Sequence, residues 1–243
     1  MTRAVVSGVI AFLTLISLCS ETGLAQVSEW PTNKEWEVEG FAGASTTGNF
    51  RFRTPVTGSN GATATVGMHY ASGYQVGLRI TQNVGYNIAA YLEYSFANQP
   101  LRFTNLTPDI PSLSVGHSIQ HLSYNVSYLP RNLQKRFRPY VSLGAGAVLY
   151  HIAEQSKNEA AALGVGLQGD WEFAMNAGGG FKYLVQNQFA LTFNVKDSVS
   201  GVPSYGLPRS ASVIHGFYQP GVDRHGLLNN WQFNIGAVSQ WDD

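Results

Sequence analysis

Eight stretches of this chain alternate apolar and polar residues with period two, and the links between them are alternately short and long. The stretches are 36–44, 74–81, 88–96, 121–128, 137–149, 171–183, 189–196 and 231–241. In the first, Trp36, Val38, Gly40, Ala42 and Ala44 fall on one face and Glu37, Glu39, Phe41 and Gly43 on the other. A strand places successive side chains on opposite faces, so this pattern predicts strands with one apolar side. Links 82–87, 130–136 and 185–188 are short. Links 47–73, 97–117, 152–170 and 198–229 run to roughly 20 to 30 residues and are rich in Gly, Pro, Ser and Asn. They read as long loops without structure of their own. Helical signals are scarce; residues 154–163 are the best short candidate.

Beyond Ala25 no apolar run is long enough for a helical membrane span. If the mature chain enters a membrane it must do so as a closed barrel, because only helices and barrels satisfy their own backbone in lipid. Eight is an even number, each strand is near the length that crosses a bilayer at a tilt, and outer-membrane barrels have tight periplasmic turns and long extracellular loops. The fold class expected is all-β: an eight-stranded antiparallel up-and-down transmembrane barrel with both chain ends on the periplasmic side. A soluble sandwich or ligand-binding barrel is the competing reading of the alternation.

The N-terminal 25 residues read as a secretory signal peptide. Arg3 supplies the positive charge, residues 4–18 the apolar core, and Gly23 and Ala25 the small residues ahead of Gln26. Residues 26–35 then form a short periplasmic segment, and 36–243 the barrel. The single cysteine, Cys19, lies inside the leader behind Leu18, a poor lipidation context. The mature chain therefore has neither a disulfide framework nor a thiolate metal site. Lys+Arg and Asp+Glu are both 15, which removes any global pull towards nucleic acid. Charged residues are only 12 %, well below a soluble domain, as suits a chain that faces lipid on one side and a crowded interior on the other.

The aromatics repeat the membrane reading. On the apolar face Trp36, Tyr128, Phe137, Tyr183, Phe189 and Trp241 fall at the turn ends of their strands, and Tyr74, Phe96, Trp171 and Trp231 at the loop ends. Two rings with smaller apolar residues between them are the pattern of interfacial girdles. The other face then lines the lumen. Its charges are Glu37, Glu39, Glu93 and Glu172 against Arg79, Arg138, Lys182 and Lys196, four acids and four bases. An eight-stranded barrel is about wide enough for side chains to fill, and buried charges are tolerable only when paired. The expected lumen is plugged by an ion-pair network. Glycines 144, 146 and 178–180 are expected to bend the strands or to admit large neighbours such as Tyr91 and Tyr140.

The segments Trp36-Glu-Val-Glu-Gly-Phe-Ala-Gly-Ala, Tyr91-Leu-Glu-Tyr-Ser-Phe, Phe137-Arg-Pro-Tyr-Val-Ser-Leu-Gly-Ala-Gly-Ala and Asn176-Ala-Gly-Gly-Gly-Phe-Lys-Tyr, with the closing strand 231–241, resemble the barrel domain of small OmpA/OmpX-like outer-membrane proteins. The resemblance spans nearly the whole mature chain. It implies an outer-membrane location, contact with outer-membrane lipids, and handling by the barrel-assembly machinery, which reads an aromatic at the end of the last strand. Trp241 fits that role, although Asp242 and Asp243 follow it.

Chemical motifs are few. Gly164-Val-Gly166-Leu-Gln-Gly169 matches a dinucleotide-binding glycine pattern but lacks its βαβ frame. His117 and His121 share a strand face, and His69, His151, His215 and His225 are scattered, with no metal-ligand spacing among them. No cofactor, no metal and no nucleic-acid partner is expected. His121 and Ser123 share a face and resemble the His-x-Ser element of outer-membrane lipid A deacylases, but the next acid, Glu154, lies beyond a turn and a whole strand. The leading functional expectation is a non-enzymatic barrel with a structural or surface-interaction role, its loops meeting an extracellular ligand. A lipid A-modifying hydrolase and a narrow channel are the alternatives.

Overall fold

The computed structural model describes residues 34–48, 54–57, 63–84, 87–107, 110–130, 136–162, 165–207, 212–214, 217–219 and 226–242. The leader read at 1–25, with its cleavage site, and most of the segment 26–35 lie outside them.

Among the described residues are fourteen strands and one helix. They are β1 (Trp36–Thr47), β2 (Thr54–Thr57), β3 (Thr63–Tyr70), β4 (Gly73–Asn83), β5 (Ile88–Asn98), β6 (Leu101–Thr107), β7 (Ile110–Val115), β8 (His117–Tyr128), β9 (Phe137–Ile152), α1 (Glu154–Ala162), β10 (Asp170–Gln186), β11 (Phe189–Gly201), β12 (Ser212–Ile214), β13 (Phe217–Gln219) and β14 (Leu227–Trp241). Eight of them close into an antiparallel barrel in the order β1-β14-β11-β10-β9-β8-β5-β4. These are the eight stretches that alternate in the sequence. Closure removes every sheet edge, the condition for a sheet to stand in lipid.

Trp36 of β1 registers with Trp241 of β14 on one side and Gln82 of β4 on the other, so both ends of the barrel sheet meet at the end of the short turns. The tightest is the two-residue turn at Asn187 and Gln188 between β10 and β11. The strands that bound the third loop, β9 and β10, are 16 and 17 residues long. At about 3.3 Å per residue they outreach the bilayer core and rise above it at the loop end.

The long loops are not structureless, as the sequence suggested. The first two build a four-stranded sheet in the order β2-β3-β6-β7, the third carries α1, and the fourth carries the β12–β13 hairpin. The joint between the first two loops is β3 pairing with β6, Gly67 with Thr104 through Tyr70 with Leu101. That pairing brings together segments more than 30 residues apart, so neither loop announces it locally. Helix α1 follows the sequence expectation closely; Lys157 bridges to Glu154 at 2.6 Å, one turn back, and Ala160 is buried.

Candidate functional site

The inward faces of the barrel strands carry the charges, and the register brings most of them together. Glu39, Arg79 and Glu93 stand in one row across the neighbouring strands β1, β4 and β5. Arg79 Nη1 donates to Glu39 Oε2 at 2.7 Å, while its Nε and Nη2 donate to Glu93 Oε2 at 3.0 and 2.7 Å. Lys196, on β11, donates to the other oxygen of Glu93, Oε1. In the barrel order β11 and β5 are four strands apart whichever way round one counts, so this bond spans the full lumen. Lys182 of β10 pairs with Glu37 of β1 nearer the turns. Arg138 is buried beside Lys182 in register. Glu172 sits ten residues along β10 from Lys182, half-buried at the loop end.

Neutral groups add further hydrogen bonds inside the lumen. Thr192 donates to Glu39 Oε1, Asn234 Nδ2 to Asn194 at 3.0 Å, and Ser45 Oγ to Asn230 at 2.7 Å. The Arg79 guanidinium lies 4.6 Å from the Tyr91 ring centre and 5.6 Å from that of Phe41, a further stabilisation of a desolvated cation. Glycines make this crowding feasible, though with different neighbours from those expected. A Cβ on Gly144 would meet the Asn125 side chain, whereas on Gly146, Gly178 and Gly180 it would first meet the backbone carbonyls of Leu122, Val195 and Phe193 on the neighbouring strands. The small inward residues let the strands lie against one another where a side chain would collide with the neighbouring backbone. A cavity of about 30 Å³ lies at the turn end, bordered by Glu37, Arg79, Tyr140 and Lys182. That is room for a water or two.

Above the charges the interior changes character. Val148, Tyr150 and Ile152 continue the inward phase of β9, and they pack with Ile119, Ala174 and Leu228 from other barrel strands. All four loops add to the same buried cluster: Tyr70 from the first, Leu101, Phe103 and Val115 from the second, Ala160, Val165 and Leu167 from the third, Val202, Tyr205 and Leu207 from the fourth. The sequence did carry a signal for this cap, apolar residues at inward positions where β9 nears its loop. A lumen read only by its charges missed it.

The outward face is apolar between the two ends. Leu143, Met175, Phe173 and Ile235 are each more than 60 % exposed. Water would not tolerate such a continuous band on a folded protein, and hydrocarbon would. The structure of OprG, an outer-membrane protein of Pseudomonas aeruginosa, matches 87 % of this chain and 98 % of its own with a TM-score of 0.55 at 16 % identity. Neisserial surface protein A matches over 85 % of this chain and 97 % of its own, with a TM-score of 0.50 at 10 % identity. This chain has the fold of the small outer-membrane β-barrels. No family model and no curated protein sequence matches it. The apolar belt puts the wall of the barrel in contact with lipid.

On this outer-membrane barrel the aromatics read as girdles stand at the two ends of the belt. Tyr128, Phe137, Tyr183 and Trp241 are exposed at the turn end, with Trp36 and Phe189 part-exposed beside them; Tyr74, Trp171 and Trp231 are exposed at the loop end, with Phe96 part-exposed. His121 and Ser123 both face the lumen and are almost completely buried. Their hydrogen bonds run elsewhere. His121 Nε2 meets Ser198 Oγ at 3.4 Å, and Ser123 Oγ accepts from Asn125 Nδ2 at 2.9 Å. The nearest carboxylate in register with Ser123, Glu93, is already held by Arg79 and Lys196.

Proposed function

We propose that this outer-membrane barrel has a plugged lumen and serves as a rigid stand for its extracellular loops, which carry a surface-interaction role. The observation that carries the reading is the Lys196–Glu93 bond across the full width of the lumen, continued through Arg79 to Glu39. A permeating ion or solute would have to break it. The sheet shared by the first two loops supports the second half of the reading, because loops that pair with each other present a shaped surface to an extracellular ligand. The two aromatic rings are taken as the interfaces of the bilayer, and the aromatic close of β14 as the feature offered to the assembly machinery.

Planar-bilayer recording of the refolded protein tests the plug. The expected record has no steady conductance, and reproducible ohmic steps of porin size overturn the reading in favour of the channel. The hydrolase alternative has no geometric support in the His121–Ser123 pair, since a buried serine without a bonded histidine and a free acid cannot be activated towards a lipid ester. Mass analysis of lipid A with and without expression is its test, and an unchanged acyl pattern is expected.

A further inference from the structure

The segment 202–207, which follows β11, turns down into the loop end of the barrel and is held there by a small set of polar contacts. Ser204 N donates to Asp170 Oδ2 at 2.6 Å, and its hydroxyl donates to the same oxygen. Gln168 N donates to the Tyr205 carbonyl at 2.9 Å. Tyr205 is completely buried and stands in the left-handed region at φ 51, followed by Gly206 at φ 76. A tyrosine adopts that conformation only where its surroundings hold it.

What holds the Tyr205 side chain is a directed chain of hydrogen bonds. His117 Nδ1 lies 3.0 Å from the Gln99 carbonyl oxygen, which can only accept, so Nδ1 carries the proton. In the neutral ring Nε2 is then the acceptor, and Tyr205 donates its hydroxyl to it at 2.9 Å. Tyr70 in turn donates to the Tyr205 oxygen at 2.8 Å. Every donor in this chain has an acceptor only while His117 is neutral. A proton on Nε2 takes the acceptor away from the Tyr205 hydroxyl, and one hydroxyl of the Tyr70–Tyr205 pair then loses the partner it has in this chain.

We propose that residues 202–207 form an acid-released lid over the loop end of the barrel, with His117 as the latch that senses the proton. Of the groups that bear on the charge of the ring, the Gln99 carbonyl favours a cation and His151 opposes one. β3 brings Tyr70, β9 brings Tyr150 and His151, the lid brings Tyr205, and the β5–β6 link brings only the Gln99 carbonyl. The carboxylates of β10 bear on the tyrosines, Asp170 on Tyr205 and Glu172 on Tyr150, and Asp170 is engaged by Ser204. The α1 helix approaches through the neutral Ser156, which accepts from Gly116 N.

His117 is the first residue of β8, on the loop side of Ser118, which is level through Asn98 with Tyr74 of the upper aromatic ring, and of Gln120, which is level through Leu149 with Trp171. Burial holds its imidazole down at about 4, with His151 lowering it further against the Gln99 bond. A released lid returns the ring to water and to the ordinary value near 6.5. Release therefore takes up a proton, and the seated lid weakens as pH falls from about 6.5 towards 4, by up to tenfold per pH unit.

The test is a pH titration of the full mature chain in lipid nanodiscs, followed by NMR of ¹⁵N-labelled histidine and of the backbone amides of Ser204, Tyr205 and Leu207. The expected result is a neutral Nδ1–H tautomer for His117 at pH 7.5, with the three amides moving at the same midpoint as the ring, well below 6.5. Tyr205→Phe removes the hydroxyl held by Nε2 and should raise that midpoint by about one pH unit for each tenfold loss of lid seating. His151→Gln should leave the coupled transition in place. An amide transition that persists unchanged in His117→Gln, or lid signals that ignore protonation of His117, overturns the proposal. If His117→Gln does not fold, an unmoved midpoint in Tyr205→Phe overturns it equally.

Discussion

Lys196 and Glu93 meet across the lumen from opposite walls of the barrel, and Glu93 shares its other oxygen with Arg79. One acid thus answers two buried cations. Its loss leaves Lys196 without a carboxylate, while Arg79 keeps Glu39. Glu93→Gln is expected to cost on the order of 3–5 kcal/mol in a urea titration of folding into vesicles. Replacing the pair together, as Glu93→Leu with Lys196→Met, should cost clearly less, because no lysine is then left unpaired at the centre. A double variant as unstable as Glu93→Gln would mean that the bridge is not what stabilises the lumen there.

The two faces of β9 offer a direct comparison. Leu143 is 69 % exposed on the lipid side and Ser142 is buried on the lumen side. Leu143→Arg places a charge near mid-strand in hydrocarbon and should cost roughly 2–4 kcal/mol. Val141, Met175 and Phe233, also outward, should behave like Leu143. Ser142→Arg meets polar partners and should cost less, provided the longer side chain finds room. Folding titrations of the two variants decide, and the reverse order would exchange the inside and outside of the barrel.

Gly236→Ala should be damaging for a reason peculiar to its site. A Cβ there would lie 2.3 Å from Glu39 Oε1 and 2.6 Å from Thr192 Oγ1, and Glu39 cannot retreat while Arg79 holds it. The expected cost is about 1–3 kcal/mol, the range for overpacking. In a Glu39→Ala background most of it should vanish. A double-mutant cycle measures the coupling, and strict additivity would rule out the collision.

Export is checked on the mature protein from the envelope. N-terminal sequencing should begin at Gln26. A start at an acylated Cys19 would instead make the chain a lipoprotein.

All eight barrel strands were legible because each repeats a two-residue period over its whole length, and a strand facing lipid on one side and a filled lumen on the other must show that period. The polarity of each face was legible for the same reason; Glu37, Glu39, Arg79, Glu93, Lys182 and Lys196 all point where the alternation puts them. Helix α1 could be read from a local run of helix formers with Glu154 at its start. The strands of the loops could not. β2 is Thr-Pro-Val-Thr, four residues without a face, and it exists through pairing with β3, which in turn pairs with β6 of another loop.

Which charge meets which was beyond the sequence. Eight charges at inward positions allow many pairings, and the choice depends on how far each strand is staggered against its neighbour around the closed barrel. The same holds for His121 and Ser123: their common face was plain, but not that their nearest polar contacts would be Ser198 and Asn125. It holds again for the cap, where Tyr70, His117, Tyr150 and Tyr205 come from four separate stretches of chain. By itself the sequence determined what is periodic: strands, faces, and the membrane as solvent. Only the tertiary structure decided what is relational, the partner of each buried charge and the seat of each loop, because register and closure place side chains against neighbours that local pattern does not encode.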